Sequence, residues 1–393
     1  MGLLAAKVTA HQPDSSTLPL ASGRLMSLDL LRGATIAAMI LVNNPGDEQS
    51  AYWPLQHAAW NGWTPTDLIF PFFLFVVGVS MVYSLSSRLG RGESRGKIFS
   101  HALRRGVVIF ALGLFLNGFP NHYQLSSWRV YGVLQRIAIC YVVAAVLVLW
   151  GGRRSQIITI LGCLAGYWIL MRCVPVPGFG MPTRDIPLLD PNRNIVAWMD
   201  RKVLAGHLYE ITRDPEGILS TIPAIATTLL GVLTGYWLRS AHAAKEKATG
   251  LLGYGVVLLA AAELVNVWFP INKKLWTSSF VLFTAGMALL FLAACYWMVD
   301  VRQWRGRWTE IFLVFGMNAI AAYFVAEIVA HWLSRMQVAT DGTSTTWQDF
   351  IYQRVFAGWG SPSFSSLLYA ITYVVLCWLV MGMLYRRKIF IKI

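Results

Sequence analysis

Residues 55–73, LQHAAWNGWTPTDLIFPFF, crowd a histidine, two tryptophans, an asparagine, two threonines and an aspartate against the start of an apolar run. The chemistry open to such a group is proton transfer. A neutral imidazole takes up a proton near pH 7, as a general base must, and His57 is the side chain here able to do so. A structural histidine is an equal reading on local grounds. Asp67 has a local explanation of its own. Thr64, Pro65, Thr66 and Asp67 read as N-cap, N1, N2 and N3 of a helix, with Thr and Asp spaced as in a capping box and Pro at its favoured position. Pro71 follows a turn later and is expected to kink that helix. Trp60 and Trp63 suit an interfacial aromatic belt.

Other polar residues interrupt apolar stretches, where ionisable groups are costly and usually face a cavity or each other. Asp29 and Arg32, three apart, share a helix face and can pair. Asn43 lies roughly 16 Å farther along the same helix at 1.5 Å per residue. Arg136, Glu263, Glu327 and His331 fall in the same halves of their spans as Asn43, with Asn318 deeper. They either line a polar route or only fix helix packing. "DPEG" at 214–217 reads as a helix start, with Asp214 capping and Pro215 at N1. "NKKLWTSS" at 272–279 places Asn272, Lys273, Lys274 and Trp276 at the mouth of a span, either as interfacial anchors or as part of a site.

The elements that must position these groups are membrane helices. Of 393 residues, 56% are hydrophobic and 13% charged, with 17 tryptophans, a profile that excludes an ordinary soluble domain. A span needs about 20 apolar residues. Ten candidates occur, at 25–43, 67–87, 99–117, 130–150, 155–171, 217–238, 249–268, 276–299, 311–333 and 363–385. The expected class is therefore an all-α polytopic membrane protein. The net charge of +14 is a topology signal rather than a nucleic-acid footprint. Lys and Arg concentrate in alternate connections and are absent from 44–63, which puts both termini in the cytoplasm. Residues 1–23 read as a disordered cytoplasmic tail, and 24–388 as one membrane domain with long outer segments at 172–215 and 334–362. Pairs of glycines four apart, Gly162/Gly166 and Gly231/Gly235, hint at close helix packing within the chain. The five cysteines show neither metal spacing nor a disulfide framework, so no metal is expected. Nucleotide-binding and hydrolase fingerprints are absent.

Taken in order, RLMSLDLLRG, LVNN, HAAWNGWTPTDLIFPFFLFVVG, GVLQR (132–136), DPEGILSTI (214–222), NKKLWTSS and FGMNAI (315–320) resemble the heparan-α-glucosaminide N-acetyltransferase family, transmembrane acyltransferases with bacterial relatives. The resemblance covers about 24–387. The large luminal N-terminal domain of the animal enzymes is not expected in this chain. The resemblance implies transfer of acetyl from cytosolic acetyl-CoA to glucosamine or a related amino sugar across the membrane. It implies that His57 and Asn43 are catalytic, that the membrane is a bacterial inner membrane, and that the chain forms a homodimer.

On that reading Arg104, Arg105 and Arg239 are candidate partners for the CoA phosphates, because charge-assisted bonds to phosphate favour arginine; a topology role for them stays open. Asp29 and Arg32 would flank the pantetheine arm. Asp67, Arg136, Asn272, Lys273, Trp276 and Glu327 would shape the sugar site. Direct transfer and a covalent acetyl-histidine are both compatible with the sequence. The competing readings are an amino-sugar transporter, a structural membrane subunit with no small-molecule site, and an O-acetyltransferase acting on a polysaccharide.

Overall fold

The computed structural model describes residues 25–119, 122–340 and 343–391; the expected 1–23 tail lies outside them. Long apolar runs leave the backbone no solvent partner in lipid, so they close their hydrogen bonds as helices. Among the described residues, eight helices are long and apolar enough to cross a membrane. They are α1 (Met26–Asn43), α2 (Ile69–Gly90, extended by a tight turn at Pro65–Leu68), α3 (Arg95–Gly118), α5 (Arg153–Cys173), α7 (Thr221–Leu238), α8 (Ala244–Asn266), α9 (Ser278–Tyr296, continued to Val301) and α13 (Pro362–Arg386). Helix α4 (Val133–Leu149) is apolar but shorter. The short α6 (Ile195–Val203) lies between α5 and α7, and α12 (Trp347–Ile351) follows a hairpin of β1 (Gln337–Thr340) and β2 (Thr343–Thr346).

The stretch read as one span at 311–333 is broken. Helices α10 (Arg307–Met317) and α11 (Ala319–Arg335) meet at 76°. Residues on both sides are apolar, so hydropathy runs unbroken through the bend. At the break Asn318 leaves the helical conformation (φ −125°, ψ 39°), and its buried amide donates to Ile389 O (3.1 Å) and accepts from Ile391 N (2.8 Å). Helix α2 begins at Ile69 directly after the tight turn at Pro65–Leu68, so Pro71 sits in its first α-helical turn.

The central helices approach at backbone contact. A Cβ on Gly231 of α7 would stand 2.1 Å from Phe75 O, and one on Gly78 of α2 2.0 Å from Thr228 O. Gly235 is tight against Val82, whereas Gly162 and Gly166 on α5 face open space. The second glycine pair thus packs internally and the first does not. Gly231→Ala should lower the thermal midpoint of the detergent-solubilised protein, by the roughly 1–3 kcal/mol typical of overpacking. Gly162→Ala should leave it unchanged or slightly higher, because alanine is the better helix former.

Candidate active site

The connections after α1, α3, α5, α8 and α11 gather at one end of the bundle. Trp60 donates its indole N–H to Leu189 O (2.8 Å), Gly62 N donates to Ile271 O (2.8 Å), and Lys274 pairs with Glu210 at 3.1 Å. The His57 loop is therefore clasped by the 174–220 segment and by the 267–277 turn. Asn272, fully buried, donates to Trp60 O (3.0 Å) and Asn61 Oδ1 (3.2 Å) while its own Oδ1 receives Leu275 N. Gly62 has φ +91°, a conformation that glycine adopts without cost where the loop turns onto Ile271.

At the centre of the loop is the Asp67 carboxylate, buried to 1% exposure. Its two oxygens divide the work. Oδ2 receives Thr64 N (3.0 Å), as the N3 residue of a capping box does, and Ala58 N (3.1 Å). Oδ1 lies 2.7 Å from His57 Nδ1. The capping role of Asp67 and a role toward His57 are therefore compatible, one oxygen each. Facing a carboxylate at that distance, Nδ1 must carry the proton and donate, because two lone pairs would repel. That fixes the tautomer in which Nε2 is an acceptor. The His57 side chain is 49% exposed, and Nε2 has Lys273 Nζ beside it at 3.2 Å.

Lys273 completes this group. Its Nζ stands 3.4 Å from Asp67 Oδ1, 2.9 Å from His57 Nδ1 and 3.2 Å from Nε2. Burial lowers the proton affinity of its ammonium below the usual lysine range, while Asp67 and Glu216 pull the other way. Glu216 is itself driven up by burial, but Arg129, Arg136 and Lys273 carry it below the usual carboxylate range. Arg129 holds Asp214 and Glu216 together at 2.6 Å each.

The DPEG segment does not start a helix. Its turns are captured by two buried groups instead. Asp200 of α6 receives Asp214 N (3.1 Å) and Ile218 N (3.4 Å), and Arg136 of α4 donates to Pro215 O (3.0 Å) and to Ser220 Oγ. Helix α7 begins only at Thr221. Burial and the neighbouring Asp214 charge push the Asp200 carboxyl up to about 6.

The guanidinium of Arg136 also stands 4.9 Å from the ring of Trp276. Trp276 is 1% exposed, donates to Thr227 Oγ1 (3.2 Å) and packs edge-on against Phe70 and Phe280. Its φ of +53° is rare for a bulky residue and is held by those contacts. Arg136, Asn272 and Trp276 are thus buried supports of the Lys273 turn, whereas His57 and Lys273 reach its surface.

Asn43, the last residue of α1, donates to Glu327 Oε1 of α11 at 2.9 Å. His331 bonds back to Glu327 O (2.6 Å). Among the described residues no hydrogen bond joins Asn43 to His57.

The remaining candidates lie elsewhere. Asp29 and Arg32 do pair, at 2.8 Å, and Arg32 also reaches Ser80 of α2 and Gly316 O of α10. Arg239 directly follows α7 and stacks 5.6 Å from Tyr83, while Arg105 of α3 stacks 5.1 Å from Tyr141 and Arg104 is exposed. These arginines belong to the half of the bundle away from the His57 loop. No local sequence pattern marks Arg129, Glu216 or Asp200, whose partners are fixed only by the folded 174–220 segment.

Against known proteins, the family whose model matches residues 24–252 is described as heparan-alpha-glucosaminide N-acetyltransferase, catalytic. The chain is similar to heparan-alpha-glucosaminide N-acetyltransferase of Homo sapiens, with 31% identity over 438 residues, covering 97% of this chain and 62% of the relative. It is also similar to the Mus musculus protein of the same name, with 29% identity over 439 residues, covering 98% of this chain and 62% of the relative. The chain therefore spans less than two thirds of the length of these curated relatives. His57, Asp67 and Asn43 fall inside the matched family region.

Proposed function

The chain belongs to the heparan-alpha-glucosaminide N-acetyltransferase catalytic family, and from that premise we propose that it is a transmembrane N-acetyltransferase. Acetyl-CoA is the donor, taken from the basic cytoplasmic face. The acceptor is the amine of glucosamine or a related amino sugar on the opposite, periplasmic face of a bacterial inner membrane. The observation that carries this reading is the buried Asp67 carboxylate bonded to His57 Nδ1, which leaves Nε2 of a half-exposed imidazole as the acceptor.

The acceptor's nitrogen attacks the thioester carbonyl carbon, and His57 Nε2 takes the amine proton. Asp67 stabilises the imidazolium that forms, without itself becoming protonated. The tetrahedral intermediate collapses with cleavage of the C–S bond. The CoA thiolate leaves and takes up the proton from the imidazolium. Asn43 supplies charge stabilisation. Its amide nitrogen carries two hydrogens; Glu327 takes one and orients the group, and the other is given to the carbonyl oxygen as negative charge develops there. Arg104, Arg105 and Arg239 serve the CoA phosphates, and the Asp29–Arg32 pair flanks the pantetheine arm. Arg136, Asn272, Trp276 and Lys273 set the shape of the sugar side.

Incubating purified protein with acetyl-CoA and a panel of glucosamine derivatives, with CoA release and product mass as readouts, tests the proposal. Amine-dependent CoA release with an N-acetyl product supports it. Release with hydroxyl acceptors alone, or uptake of sugar without acetyl-CoA, refutes it. Asn43→Ala should lower kcat by about 10²–10³-fold, the usual cost of one oxyanion donor, with little change in acetyl-CoA affinity measured by calorimetry.

A further inference from the structure

Resting on that reading, we propose that Lys273 is a self-acetylation site, a built-in competing acceptor that the enzyme modifies when acetyl-CoA is present and the sugar is absent. A primary amine already stands in the site. Nζ is 2.9 Å from Nδ1 and 3.2 Å from Nε2 of the imidazole that must deprotonate the acceptor's amine. Lysine is the same functional group as an amino sugar's nitrogen, a primary amine on a saturated carbon.

The groups facing Nζ come from three segments: His57 and Asp67 from the first loop and its turn, Glu216 from the 174–220 segment, and the neighbouring Lys274. Burial favours the neutral, nucleophilic form, and only Asp67 and Glu216 oppose it among these. A side chain that is 19% exposed is shielded from bulk water yet open to a thioester delivered to His57.

The step balances with the substrate the proposed activity supplies. The Nζ lone pair attacks the thioester carbonyl, His57 takes the proton, and the C–S bond breaks to release CoA as the thiol. An Nε-acetyl-lysine remains. An amide is not an acyl donor to an amine under these conditions, so the group stays. It removes the positive charge beside Asp67 and Glu216 and fills the place the sugar amine would take. Activity therefore falls as the modification accumulates, and a bound amino sugar protects.

The test is a time course of wild-type protein with acetyl-CoA alone, read by tandem mass spectrometry of the peptide carrying Lys273 and by residual sugar-dependent CoA release. The expected result is acetylation of Lys273 well ahead of the exposed Lys97 and Lys245, suppression by glucosamine, and activity loss in step with occupancy. His57→Ala should leave Lys273 acetylated no faster than those surface lysines. Lys273→Arg, whatever its initial rate, should show no time-dependent decline. An unmodified Lys273 in protein that releases CoA normally with sugar overturns this inference alone. Equal modification in the His57 variant also overturns it, by showing simple chemical acetylation. Absence of CoA release with any acceptor overturns the functional reading itself, and this inference with it.

Discussion

His57→Ala lowers sugar-dependent CoA release by about 10²–10⁴-fold, the usual contribution of a positioned general base, while the protein remains folded and binds acetyl-CoA. The asymmetry follows from the geometry. The side chain is half exposed and its polar contacts are with Asp67 and Lys273. Its removal strands no charge, because Lys273 still pairs with Asp67, and the capping bonds to Asp67 Oδ2 do not involve it. The thermal midpoint should therefore barely move, as for surface changes generally. A histidine kept only for structure would give the reverse, with lowered stability and little effect on turnover. Added imidazole should restore part of the lost rate to the alanine variant, since the missing group is a base and its place is open to solvent.

Asp67→Asn should be at least as damaging to turnover, by about 10³–10⁴-fold, for a reason specific to this carboxylate. Oδ2 receives two backbone N–H groups, from Ala58 and Thr64, so an asparagine must place its carbonyl oxygen there. Its NH₂ then occupies the Oδ1 position and donates to His57 Nδ1. The imidazole is forced into the tautomer with the proton on Nε2, and it can no longer accept the amine's proton. The comparable change in serine proteases costs about 10⁴ in kcat. The NH₂ group also faces the Lys273 ammonium in place of an anion, so part of the loss will be seen as reduced stability. Proton-detected NMR of the His57 ring, with the exchangeable proton on Nδ1 in wild type and on Nε2 in the variant, checks the cause. Unchanged kcat in Asp67→Asn would remove Asp67 from the mechanism.

The membrane architecture was legible because hydropathy alone decides which stretches can sit in lipid. The ten apolar stretches correspond to the eight long helices, the shorter α4 and the bent α10–α11 pair. The bend was invisible because Asn318 is a single residue within an apolar run, and its partners, Ile389 and Ile391, are more than 70 residues away in sequence. Local capping logic points to DPEG as the start of α7 because it cannot foresee that Asp200 and Arg136 claim those backbone groups. At the site, His57 stood out because neither a helix cap nor an aromatic belt calls for an imidazole. The sequence marks Asp67 as a cap, but the partner of its second oxygen appears only when the loop folds back ten residues. Lys273 is 216 residues from His57, and Glu327 is 284 from Asn43. No periodicity encodes such pairings, which arise from how the helix ends assemble.

The most direct test of the account places the two substrates on opposite faces of a sealed membrane. Inside-out vesicles carrying the protein, loaded with glucosamine and supplied externally with acetyl-CoA labelled in its acetyl group, should accumulate labelled N-acetylglucosamine in the lumen and release CoA outside. The His57→Ala vesicles should do neither. Labelled product that forms only when both substrates share one face, or that forms equally in the His57→Ala vesicles, would contradict it.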